Sequence, residues 1–218
     1  IDGLELEGAN WSDDMREEFI RRRGYDPMTL LPLTMYKTGG MGNVIDYRYG
    51  VEMGDAVRER IDRVRYDFCR TQAELIDERF FVPYNEWCRS LGVLSRVQAY
   101  GRGVHPLGSS LHCDIPEGES WTTNWLKHRL GEEMGNEDYR RGRGYTMIDK
   151  YMSSGGHLAG RRTISAEDMT NTYLVFSATL EFLKLGSDHS VFSGITHSVF
   201  HGFNYSPPEA PFPGWIRY

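Results

Sequence analysis

The sequence has little cysteine, no long apolar run and no excess of positive charge. Its three cysteines, Cys69, Cys88 and Cys113, are an odd number without CxxC spacing. That argues against a disulfide framework or a cysteine metal cluster and leaves the redox compartment open. No apolar run approaches the roughly 20 residues of a membrane span. The 25 Lys and Arg fall short of the 31 Asp and Glu, for a formal net charge of -6. With no basic stripe of interleaved aromatics either, nucleic acid is excluded as a partner. Low-complexity segments and a leader peptide are also missing, and Ile1 to Leu6 already read as a strand. A start inside an element predicts a piece cut from a longer protein, so the missing leader says nothing about where the parent resides.

What is present is an ordinary globular chain. Its 218 residues can bury a sizeable core as one domain or as most of a larger one. Five Trp and 13 Tyr suit a sugar-binding cleft, where pyranose faces stack on flat rings, and equally a plain core.

Leu4-Glu5-Leu6-Glu7 alternates as a short strand does. A helix follows, with Ser12 as N-cap, Arg21, Arg22 and Arg23 in its last turn, and Gly24 and Pro27 as the stop. Residues 28 to 50 read as irregular, either an excursion over a pocket or a surface loop. Val57, Ile61, Val64, Phe68, Leu75 and Ile76 keep helical spacing from about 51 to 81. Pro83 breaks or kinks that helix, which resumes until Gly92. Strands are expected at 95–100, at 111–115 closed by Pro116, at 163–166 and at 195–200. Residues 120 to 145 read as short helices and loops, and helices follow at about 145–159 and 171–185. Strands alternating with helices predict a parallel α/β sheet. Five such units are too few for a closed eight-stranded barrel, so the expected fold is a partial (β/α)8 TIM-type barrel holding the later strands only.

Acids recur at the predicted strand ends: Glu5 or Glu7, then Asp114, Glu117 and Glu119, then Glu167 and Asp168. Active sites of parallel α/β folds are built at that edge, and glycoside hydrolysis needs two carboxyl groups flanking the scissile bond. A surface acid after a strand is also commonplace. The run Asp114-Ile115-Pro116-Glu117-Gly118-Glu119 is oxygen-rich enough to suggest Ca²⁺, although its spacing is not an EF-hand. His197 and His201 fall on one strand face without a third ligand of matching spacing, so substrate hydroxyl contacts or buried hydrogen bonds suit them better than zinc. Gly101-x-Gly103 opens no helix, and Ser109, Ser110 and Ser165 sit in no nucleophile elbow. Dinucleotide and serine hydrolase sites are therefore unsupported.

Asn10-Trp11-Ser12 with Arg22 to Pro27, Arg96 to Gly101, Asp114 to Glu119, Ser165-Ala166-Glu167, and His201-Gly202 with Pro213-Gly214-Trp215 run in order along nearly the whole chain. Together these motifs resemble glycoside hydrolase family 106, the α-L-rhamnosidases. The resemblance implies a (β/α)8 catalytic barrel, inverting chemistry, a Ca²⁺ ion near the site, a carbohydrate substrate and a secreted or periplasmic parent with further domains. It places the general acid at Glu5 and the general base at Glu167, and has Glu119 help hold the metal or the sugar. Substrate-binding candidates are Glu7, Gln98, Asp114, Glu117, Trp121 and His201. The expected function is removal of terminal α-L-rhamnosyl residues from plant polysaccharide or glycoside. The alternatives are a related barrel glycosidase for another sugar and an inactive carbohydrate-binding relative.

Overall fold

The structure, a computed structural model, describes residues 11–32, 54–101, 103–121, 143–170, 180–201, 206–212 and 214. Helix α1 (Met15–Arg23) opens them, with Glu17 and Glu18 in its first turn and three arginines in its last, the charge order that suits the helix dipole. Gly24 stops it at φ 79°, its N–H bonded to Ile20 O, a left-handed end that glycine adopts without Cβ strain. The N-terminal end differs from expectation. Asp14 holds the cap position without a side-chain cap bond, while Ser12 donates to Asp14 Oδ1 at 2.9 Å.

Helix α2 (Asp55–Ile76) buries Ile61, Val64, Phe68 and Leu75. A wide turn over Asp77–Phe81 passes into α3 (Val82–Ser90), with Pro83 in its first turn. Pro83 therefore neither breaks the helix nor ends it. The ladder changes register just ahead of the ring, where a wide turn absorbs the missing N–H. Met15 and Phe19 of α1 pack on Phe68 and Leu75, and fully burying a side chain as large as Phe19 contributes about 1.5–3 kcal/mol.

Four strands follow: β1 (Arg96–Gln98), β2 (Ile115–Trp121), β3 (Ser165–Thr170) and β4 (His197–Phe200). They pair in the order β1-β2-β3-β4, every pair parallel. Helices α4 (Pro106–Ser110), α5 (Arg143–Leu158) and α6 (Leu180–Phe192) lie between successive strands, as parallel pairing requires. The expected first strand at 3–6 lies outside the described residues.

Two strands are displaced from their expected places. Residues 106–110 are helical, and β2 runs from Ile115 through Pro116 instead of ending there. Ile115 N–H bonds Ser95 O at 2.8 Å on the β1 side. Pairing with β3 begins only at Glu117 opposite Ser165, so Pro116 falls before that ladder needs its N–H. Likewise β3 starts at Ser165, which puts Glu167 within the strand rather than after it. Helix α6 extends to Phe192, beyond the expected end at 185. Helix α5 passes unbroken through Gly155 and Gly156. There a Cβ would come within 1.7 Å of Ser110 Oγ and 3.0 Å of Ile164 Cδ1, so the glycines serve close packing, not irregularity.

The register sorts the strand residues between two faces, because side chains alternate. Gly118 pairs with Ala166, and their face meets the helices: a Cβ on Gly118 would lie 2.0 Å from Asp149 Oδ1 of α5. Val97, Ala99, Met152, Ile164 and Ala166 belong to the core cluster. The opposite face carries Gln98, Glu117, Glu119, Ser165 and Glu167.

Candidate active site

On that second face Glu119 of β2 stands in register with Glu167 of β3. Adjacent strands lie about 4.8 Å apart, so the two acids rise from neighbouring points of the sheet. Gln98 of β1 donates from Nε2 to Glu167 Oε2 at 2.6 Å. The Tyr100 hydroxyl, just past β1, donates to Glu119 Oε2 at 2.5 Å and also reaches Gln98 Oε1 at 2.6 Å. With its oxygen turned to a phenol, the Gln98 amide must point its nitrogen at Glu167. The chain Glu119–Tyr100–Gln98–Glu167 thus links three strands. His201, immediately after β4, brings Nδ1 within 3.9 Å of Glu167 Oε1, and its backbone N–H is held by Asp168 O at 3.1 Å.

Glu117 lies on the same face one layer lower. It is buried, its Oε2 accepts from Ser165 Oγ at 2.7 Å, and Arg96 Nε approaches at 3.1 Å. Asp114 precedes β2 at the far end of the sheet, bound by Arg89 at 2.7 Å, by Ser95 N–H at 3.2 Å and by Arg161 at 3.5 Å. Burial works against its charge, but the Arg89 and Ser95 hydrogen bonds win and hold its carboxyl below the usual range. The expected acid cluster of 114–119 is therefore divided along a strand: Glu119 at the rim, Glu117 beneath it and Asp114 at the opposite end. Trp121 closes β2 in register with Thr170, its side chain outside the described residues. Glu5 and Glu7 also fall outside them.

Behind Glu119 and Glu167, on the helix face, are two buried acids: Asp149, which the sequence did not single out, and Asp168, one of the acids expected at the strand ends. Asp149 of α5 accepts the Glu119 backbone N–H at 3.1 Å. Asp168 of β3 accepts from Ser120 Oγ at 2.8 Å and Ser190 Oγ at 2.7 Å, and its Oδ2 is buried with no hydrogen-bond partner among the described residues. Burial first, then the nearby charge of Asp168, push the Asp149 carboxyl up to about 8. The next residue, Met169, has φ 63°, a left-handed conformation uncommon outside glycine, and its N–H is caught by Ser120 Oγ at 3.1 Å.

Tyr100 was missed because its partner Glu119 comes from another strand. Asp149 did carry a signal: with Met152, Ser153 and Gly156 it makes a buried stripe at helical spacing, and an acid on such a stripe needs a partner.

Calcium takes about six to eight hard oxygens. The rim brings Glu119 and Glu167, each with one oxygen already accepting a hydrogen bond. No group of three or more His, Cys, Asp or Glu suited to a metal occurs among the described residues. These residues by themselves do not fit the ion.

A parallel α/β sheet with two carboxylates in register toward the carboxyl ends of its strands is an arrangement suited to glycosidases. The chain belongs to glycoside hydrolase family 106, alpha-L-rhamnosidase, whose model matches residues 1–217. It is 25% identical over 209 residues, 95% of its length, to a protein of Formosa agariphila named "Putative beta-glucuronidase". It also resembles the solved structure of a rhamnosidase from Novosphingobium sp. PP1Y, with TM-score 0.58 and 24% identity over 91% of this chain. The chain spans 15% of the first protein and 17% of the second. No helix among the described residues is long and apolar enough to cross a membrane.

Proposed function

We propose that this chain carries the base-bearing edge of an inverting exo-glycosidase that removes terminal α-L-rhamnosyl residues from plant polysaccharide or glycoside. The observation that carries the reading is the register of Glu119 with Glu167, tied through Tyr100 and Gln98. Glu167 is the general base. Gln98 occupies Oε2, and Oε1 takes a proton from water as the water oxygen attacks the anomeric carbon. The glycosidic C–O bond breaks, and Glu5 gives its proton to the leaving oxygen. Glu119 and His201 hold sugar hydroxyls.

Glu119 is a poor candidate for the acid. Inversion needs the carboxyls about 6.5–9.5 Å apart, and neighbouring strands spaced about 4.8 Å leave little room for both sugar and water. The acid is therefore expected from elsewhere in the barrel, the role that the family resemblance gives Glu5. The sheet would then be the later part of a (β/α)8 barrel, in a secreted or periplasmic parent with further domains. The reading draws no step from calcium.

The described rim groups also favour a neutral sugar. Two carboxylates, an amide, a phenol and an imidazole bring no fixed positive charge to receive a uronate.

The test is Glu167→Gln in the intact protein, assayed on aryl α-L-rhamnoside beside aryl β-glucuronide. Loss of rhamnoside turnover by about 10²–10⁴-fold is expected, with β-rhamnose released first by the wild type as read by proton NMR. Near-normal turnover would remove Glu167 as base, α-rhamnose appearing first would remove inversion, and preference for the glucuronide would remove the sugar assignment.

A further inference from the structure

We propose that Asp149 is a positioning residue for the edge that carries Glu119 and Glu167, holding Glu119 from behind the sheet through the Glu119 backbone N–H. The inference rests on the hydrolase reading above and adds to it a residue that never meets the sugar.

Asp149 reaches the strand only because Gly118 has no side chain. A Cβ there would stand 2.0 Å from Asp149 Oδ1 and 3.2 Å from its Cα. The helix thus approaches β2 at the residue before Glu119, and Oδ1 takes the Glu119 N–H at 3.1 Å. Asp149 is 1% exposed and also bonds Ser190. Ser190 donates to Asp168 at 2.7 Å, and Ser120 donates to the same oxygen at 2.8 Å. One polar cluster therefore ties α5 and α6 to the segments of β2 and β3 that carry Glu119 and Glu167. From Glu119 the tie continues through Tyr100 and Gln98 to Glu167. A shift of Glu119 is passed to the base, and a misplacement of about 1 Å can cost roughly 10² in rate.

An acceptor role makes a specific demand on the replacement. Asparagine keeps an oxygen for the Glu119 N–H and offers an N–H₂ to Ser190, whereas alanine keeps neither. The experiment compares Asp149→Ala, Asp149→Asn and Gly118→Ala in the intact protein. It measures kcat and KM on the aryl rhamnoside and hydrogen exchange over residues 117–121. The expected result for Asp149→Ala is a kcat lower by about tenfold or more, KM within about twofold, and faster exchange. Asp149→Asn restores both readouts, and Gly118→Ala, whose methyl displaces Oδ1, behaves like alanine. Wild-type exchange and kcat in Asp149→Ala would overturn the inference, and so would Asp149→Asn failing as badly as alanine. Should Asp149→Ala not fold, the asparagine and Gly118 variants decide alone: wild-type behaviour of Gly118→Ala overturns the role. Exchange needs no substrate, so it tests the tie even if the rhamnoside assignment fails.

Discussion

Gln98 and Glu167, 69 residues apart in the chain, are joined by a 2.6 Å hydrogen bond from the amide nitrogen to the carboxylate. The bond fixes which oxygen of Glu167 is occupied and which can meet water. A substitution at Gln98 should therefore alter the base without touching it.

Gln98→Glu places a second carboxylate where the amide donated. The donor to Oε2 is lost and two carboxylates repel across the same gap, so Glu167 is no longer held toward the attacking water and kcat/KM should fall by about tenfold or more. Steady-state kinetics of the variant beside the wild type check this, and an unchanged kcat/KM would remove Gln98 as the residue that orients Glu167.

Tyr100→Phe keeps the ring and deletes the hydroxyl shared by Glu119 and Gln98. A hydrogen bond to a charged group contributes about 1.5–3 kcal/mol, so kcat/KM should fall by at least about tenfold. Tyr100 is only half-buried, and the thermal midpoint should change little. A large drop in the midpoint with unchanged kcat/KM would show that the hydroxyl serves stability instead.

Asp114→Asn tests the acid at the other end of β2. Its carboxylate is bound by Arg89, Ser95 and Arg161. Losing the charge in a nearly buried site should cost about 1–3 kcal/mol, while KM for the sugar stays put. The sign with pH follows from a folded pKa held below the ordinary 3.8. The contribution is present above that value and lost as pH falls through the lower folded one. Denaturation at pH 7 should separate variant from wild type, and the gap should narrow toward pH 3. A raised KM would put Asp114 back among the sugar contacts.

Legibility in the sequence followed how local each cause is. The end of α1 was readable because Arg21 to Gly24 and Pro27 carry its stop themselves. Strand β2 was misplaced because Pro116 reads as a stop, and only the pairing of Glu117 with Ser165 shows that its missing N–H costs nothing there. Glu167 was recognised as an acid near a strand end, and its neighbourhood with Glu119 follows from a register that no single segment encodes. The six-residue acid run looked like one cluster and became three layers, because a strand rises about 3.3 Å per residue and alternates its faces.

The π-type turn at Asp77–Phe81 has a consequence for how this protein tolerates change. A wide turn is in effect a helix with one residue too many, so deleting a single residue there should leave an ordinary α-helical repeat. Pro83 would then meet an unaccommodating turn, and Phe81, now part of the main core, would rotate by about 100° off the sheet. The surplus residue is what lets one long rod serve two masters, α1 on its first stretch and the strand layer on its last.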